Sequence, residues 1–153
     1  MPPTSPTLSL KGRALRYLSA REHSRAELAR KLRAYSEDPD EIERVLDELQ
    51  TRGFLSDARF VESVVHRRAG RLGTARVKQE LQAKGVAPEQ IRAAVQGLQA
   101  TELARARAVW QQRFGQPATD PKEQARQMRF LLSRGFGAEV VRQVVRPRHT
   151  DDD

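Results

Sequence analysis

None of the 153 residues is cysteine, which excludes disulfide staples, zinc–thiolate sites and thiol catalysis. Aromatics are scarce at 5% and hydrophobic residues make up 38%, too lean for one deep core and better suited to several thin helical layers. No apolar run approaches the roughly 18 residues that span a bilayer. The opening Met1-Pro2-Pro3-Thr4-Ser5-Pro6-Thr7 lacks the basic and apolar regions of a signal peptide. These absences lead us to expect a cytoplasmic chain, with no membrane partner and a frayed, proline-rich lead over residues 1–8. Alternation of period two over a strand's length is missing too, so no sheet is expected.

Catalytic and metal-binding patterns are equally thin. His23, His66 and His149 are scattered and lack ligand spacing. Gly70 and Gly73 are not followed by the Gly-Lys-Ser/Thr of a phosphate loop. No nucleophile stands beside a base. The reading is therefore a protein without enzyme activity, metal or cofactor. Asp57 fits a helix start better than a catalytic carboxylate, since no partner for it is evident.

What the chain has in quantity is charge, 31% of residues with a net charge of +8. Residues 1–51 carry nine basic and nine acidic side chains, whereas residues 52–86 carry eight against three. Residues 99–150 carry ten against four, ahead of the acidic tail, residues 148–153, which ends in Asp151-Asp152-Asp153. The positive excess belongs to the middle and final thirds, and such a field attracts nucleic acid or an acidic protein surface. The alternative is a solvated, arginine-rich surface that serves solubility.

Apolar residues recur at helical spacing throughout. Leu10, Ala14, Tyr17 and Leu18 share one face. Ser24-Arg25-Ala26-Glu27 reads as a capping box ahead of a stripe of Leu28, Leu32 and Tyr35. Asp38-Pro39 opens an acidic third helix with Ile42, Val45, Leu46 and Leu49 on its face, stopped near Gly53. The plan then repeats. Leu32, Leu81 and Leu131 stand 49 and 50 residues apart, followed ten residues on by Ile42, Ile91 and Val141. The stops Lys84-Gly85-Val86 and Arg134-Gly135-Phe136 match, and Pro88 opens a helix as Pro39 does. The third unit carries Leu103, Ala106, Trp110 and Phe114, then Asp120-Pro121 before Ala125, Met128, Leu131 and Leu132. The expected fold is all-α, three tandem three-helix (helix-turn-helix-like) repeats at 9–55, 56–99 and 100–147 in an elongated, curved array.

The cations concentrate on an elbow between two helices of the middle unit, at Arg67, Arg68, Arg71 and Arg76, with Lys78 and Lys84 beyond. Helical phase puts Arg68 near the buried arc, as a packing arginine paired with a carboxylate, and Arg59 on the outward arc. Arg59, Arg67, Arg71, Arg76, Lys78 and Lys84, with Arg126 and Arg129 of the third unit, are the candidate contact residues. Trp110 shares its phase with Leu103 and Ala106, which places it in a core rather than against a base.

The same stretch carries a resemblance. Gly53-Phe54-Leu55-Ser56-Asp57-Ala58-Arg59-Phe60, followed by Gly73-x-x-Arg76-Val77-x-Gln79-Glu80-Leu81-x-x-Lys84-Gly85-Val86, resembles RecX proteins, bacterial regulators of the RecA recombinase. The similarity extends from about Leu10 to Val145. It departs at Ser56, where a second acidic residue is expected, and at Arg71-Leu72, where lysine and an aromatic are more usual. The resemblance implies a monomeric regulator that docks in the groove of the RecA filament on single-stranded DNA, bridges its protomers and restrains strand exchange and ATP hydrolysis. The residues by themselves reach only a basic helical-repeat binding protein. A module that binds DNA without the recombinase, or a purely structural adaptor, fits them as well.

Overall fold

The computed structural model describes residues 7–146. The proposed lead falls almost wholly, and the acidic tail wholly, outside them. Helix starts follow local chemistry, read from the sequence at Ser24, Asp38 and Asp120 and supplied elsewhere by Ser9 and by Ser56, which caps the helix that Asp57 begins. Ser9, Ser24, Asp38, Ser56 and Asp120 each accept a hydrogen bond from a backbone N–H two or three residues on, which satisfies donors a helix leaves open. Pro39, Pro88 and Pro121 each take the first helical position, where a missing N–H costs nothing. The resulting helices are α1 (Leu10–Ala20), α2 (Arg25–Leu32), α3 (Pro39–Thr51), α4 (Asp57–Arg68), α5 (Thr74–Ala83), α6 (Pro88–Arg113), α7 (Pro121–Ser133) and α8 (Ala138–Val144). No strand occurs among the described residues.

Three apolar clusters follow one another along the chain. Leu10, Leu28, Leu32, Leu46 and Leu49 centre the first; Phe60, Val64, Val77, Leu81 and Ile91 the second; Ala106, Leu131, Phe136 and Val141 the third. Eight helices make these three layers because α6, 26 residues long, serves two of them. The sequence reading separates a helix ending at Leu98 from another beginning near Leu103. Gln99-Ala100-Thr101-Glu102 between them holds no proline or glycine, and Gly97 alone costs only about 1 kcal/mol, so the helix continues. At 1.5 Å per residue it is a spine about 39 Å long.

Two residues assigned to buried stripes lie outside. Tyr35 is 49% exposed, because α2 ends at Leu32 and Tyr35 lies in the turn that follows, where its ring meets the Arg13 guanidinium at 3.9 Å. Leu132 is 44% exposed, one position past the inward arc that Leu131 occupies.

The second helices of the three layers, α2, α5 and α7, meet end to end. At the first seam the Ser24 hydroxyl donates to the Lys84 carbonyl at 2.6 Å. Gly85, at φ +71°, lets the chain approach so closely that a Cβ there would come within 2.6 Å of the Ala26 methyl. At the second seam Gly73 N–H donates to the Arg134 carbonyl at 2.8 Å and Ala75 N–H to the Gly135 carbonyl at 3.3 Å. In each seam a neighbouring carboxylate accepts one further N–H, Asp57 from Arg25 at 2.7 Å and Glu102 from Thr74 at 2.9 Å. N-terminal donors thus face C-terminal carbonyls, and the helix dipoles align head to tail.

Candidate partner and nucleic-acid interface

The seams decide which cations stay available. Glu27, which the capping-box pattern would turn back towards its own helix start, is instead committed to the first seam. Its carboxylate is 5% exposed and accepts from both Arg21 terminal nitrogens, at 3.1 and 2.7 Å, and from Lys84 Nζ at 2.9 Å. Burial pushes this carboxyl up, but the hydrogen bonds from Arg21 and Lys84 outweigh it and hold the group at about 2. Beside it, His23 is buried. Its Nδ1–H, in the tautomer that satisfies both neighbours, donates to the Arg21 carbonyl at 3.0 Å, and Nε2 accepts from Lys31 at 2.8 Å. Burial depresses the pKa of both His23 and Lys31, consistent with a structural, uncharged imidazole.

Several candidate residues therefore have partners inside the chain. Lys84 is held by Glu27. Arg59 donates to Glu22 at 2.9 Å and to the Gly53 carbonyl at 2.6 Å. Arg76 lies along the second seam, where it donates to the Ser133 carbonyl at 2.8 Å. Its side chain fills the space at Gly135, whose φ of +92° few other residues adopt. Arg126 is paired with Glu123 one helical turn away, at 2.8 and 2.9 Å. Arg68 makes the ion pair its phase implied, with Glu80 at 3.3 Å.

The others are exposed. Arg67 only touches the Ser63 carbonyl of its own helix, at 3.3 Å. Arg71, Lys78 and Arg129 have no carboxylate partner among the described residues. Lys78 edges a cleft of about 380 Å³ between α5 and α6, with Arg92 on its other wall and Val86, Ile91 and Val95 between. Arg71 edges a second groove, of about 330 Å³, at the seam of the second and third layers. There it is joined by Arg113, Arg134 and Phe130, which the sequence reading does not single out. They come from α6, α7 and the turn after α7 and converge only when the layers stack. Arg105 is also missed. Half-buried, it donates to the Ala69, Leu72 and Leu98 carbonyls and to the Thr74 hydroxyl at 2.6–3.2 Å, and so pins the elbow turn in place. Trp110 lies against the third cluster and donates to Gln127 at 2.9 Å.

The arrangement offers charged surface, and among the described residues no cluster of His, Asp or Glu could hold a metal ion. Family models for the first, second and third three-helix domains of RecX match residues 11–49, 56–95 and 100–145. The chain belongs to the RecX family. The Regulatory protein RecX of Leptothrix cholodnii is 64% identical over 141 residues, covering 92% of this chain and 90% of that relative. The RecX of Ralstonia nicotianae is 53% identical over 138 residues, covering 90% and 87%. A crystal structure of RecX from Lactobacillus salivarius superposes with a TM-score of 0.75 at 20% identity, covering 89% of this chain and 92% of that one, and so shares the fold. The chain is a regulatory protein of this family, all-helical and built from three three-helix domains. No helix among the described residues is long and apolar enough to cross a membrane.

Proposed function

We propose that this chain binds the RecA–single-stranded DNA filament in its groove and restrains strand exchange and ATP hydrolysis. Membership of a regulatory family gives the setting, and one observation carries the reading: the nine basic side chains of residues 1–51 are balanced by nine acidic ones, while the positive excess, with the exposed Arg67, Arg71, Lys78 and Arg129, lies on the second and third layers. A surface of this kind is attracted to a polyanion-containing filament and steered to it over several ångströms. Three stacked units suit a repeating target, since several weak contacts in register multiply into avidity. On this reading the chain works as a cytoplasmic monomer and is not an enzyme, and the three units at 9–55, 56–99 and 100–147 address successive protomers.

The test is recombinase ATPase and strand exchange measured with and without this chain. Dose-dependent slowing of both supports the reading; rates that do not change at saturating chain overturn it. A second reading, a DNA-binding protein that acts without the recombinase, draws on the same exposed arginines. Co-purification of the recombinase after nuclease treatment separates them, because only a protein contact survives removal of the DNA.

A further inference from the structure

The two seams both set a helix start against a helix end but treat several of their cations differently. At the first, Arg21, Arg59 and Lys84 are neutralised by Glu22 and Glu27. At the second, Arg71, Arg113 and Arg134 have no carboxylate or hydrogen-bond acceptor for their guanidinium groups among the described residues. The repeat makes the contrast direct: Arg134 stands 50 residues after Lys84, Phe130 stands 50 after Glu80, and Arg71 stands 49 after Glu22. The positions that one repeat earlier carry carboxylates, Glu80 and Glu22, here carry a ring and a guanidinium.

Two of these arginines are nonetheless positioned. The Arg113 and Arg134 guanidinium carbons lie 5.1 and 5.0 Å from the centre of the Phe130 ring, so that one ring positions both. Phe114 meets Phe130 edge to face at 5.5 Å and keeps that ring in place. A guanidinium drawn to an aromatic ring by cation–π attraction still has N–H donors to offer a ligand. The groove therefore presents positioned, unsatisfied donors beside stacking planes, with no acid on its lining.

We infer that this groove is a single-stranded nucleic-acid subsite, in which Arg71, Arg113 and Arg134 hold a backbone phosphate and an adjoining unpaired base stacks on the arginine–Phe130 layer. Phosphate matches the fork of donors, and the stacking layer is what an unpaired base uses and a carboxylate side chain does not. The inference deepens the filament reading by naming the part of the DNA this seam would hold, and rests on that reading only for its setting.

The ordinary explanation of the same arginines is helix-end compensation, since α4, α6 and α7 all finish here and cations favour such ends. Titrating the full chain into fluorescein-labelled oligodeoxythymidine, without recombinase, separates the two. For the double variant Arg71→Gln, Arg134→Gln the expected result is about tenfold weaker binding and a log–log salt slope smaller by about 0.7 for each phosphate no longer neutralised. Phe130→Leu should weaken binding by a similar factor and leave the slope as it was. Arg16→Gln with Arg30→Gln, two exposed arginines of the first layer, should change neither. Because Phe130 also touches the third cluster, Arg71→Gln alone, in an exposed turn, gives a result independent of folding. Unchanged affinity and slope in the double variant, with a lower melting temperature, would mean the arginines only balance helix ends. Equal competition by a glutamate-rich peptide, abolished in the same variants, would assign the groove to an acidic protein segment and overturn the inference. As no recombinase is present, filament docking that survives loss of oligonucleotide binding leaves the proposed function standing.

Discussion

Replacing Glu27 with glutamine tests the first seam with a pH signature of its own. The carboxyl is held at about 2 against an ordinary value of 4.5, which corresponds to about 3 kcal/mol of stability when fully expressed. Its partners are partly solvated, the Arg21 and Lys84 side chains being 41% and 35% exposed. Water screens the pair, and about 2 kcal/mol is the expected contribution. For a chain of this length that lowers the melting temperature of Glu27→Gln by roughly 4–8 °C at pH 7.

The sign of the pH dependence follows from the depressed value. A carboxylate stabilised in the fold contributes fully above its unfolded pKa and loses that contribution as pH falls through the folded one. The gap between the wild-type chain and Glu27→Gln should therefore be constant above pH 5, narrow from about 4.5 downward and close near pH 2. Other carboxylates titrate over the same range in both proteins, so the difference isolates Glu27. Melting curves at several pH values measure it. A gap that persists undiminished at pH 2 would show that glutamine disturbs packing rather than an ion pair, and the seam assignment would fail.

Phe60 is 1% exposed at the centre of the second cluster, and Phe60→Ala should cost about 3–5 kcal/mol in a denaturant titration; a neutral result would contradict its burial. Gly73→Ala would drive a methyl into the Gly135 backbone, so the second seam must open, and amide exchange at Ala75 should accelerate; unchanged protection would refute the close approach. Replacing Arg67, Arg71 and Lys78 with glutamine should move the melting temperature little, since solvated changes rarely exceed about 0.5 kcal/mol, while weakening filament binding. Arg76 is left out because it holds the Ser133 carbonyl, and unchanged filament affinity in the folded triple variant would make the elbow plain surface.

What the sequence reveals and what it hides divides by range. Caps such as Ser24, prolines such as Pro88 and the Arg68–Glu80 pair depend on residues within about a dozen positions, so pattern suffices to place them. The 49–50 residue repeat is likewise visible because burial must recur wherever a layer does. The joining of two helices into α6 is harder to see, for the apolar phase is weak between Leu98 and Leu103, and continuity there rests on the absence of a breaker. Glu27, Asp57 and Glu102 are legible as helix-start or surface acids but not as seam acceptors. Their partners, Lys84, Arg25 and Thr74, lie on other segments, and nothing local distinguishes a carboxylate that caps its own helix from one that reaches another. The groove around Phe130 is hidden for the same reason, being assembled from three segments.

The seams also differ in what connects them. Between α3 and α4 the chain passes through Arg52–Ser56 without helix, so the first two layers are joined by a short link, Asp57, Ser24 and the Glu27 ion pairs. Between the second and third layers runs α6 itself, reinforced by the backbone bonds at Gly73 and Ala75 and by Arg105. A continuous helix resists bending far more than side-chain contacts do, even where these are buried, as Ser24 and Glu27 are at the first seam. The second and third layers are therefore expected to be the stiffer pair, and the groove arginines Arg71, Arg113 and Arg134 sit on it. A charged surface held at fixed spacing keeps its register with a repeating target, whereas one spread across a pliant joint would pay for that register in ordering entropy on binding. On the proposed reading, adjustment to the filament's spacing would fall to the first layer, whose basic and acidic side chains balance and whose movement would leave the arginine groove at the second seam undisturbed.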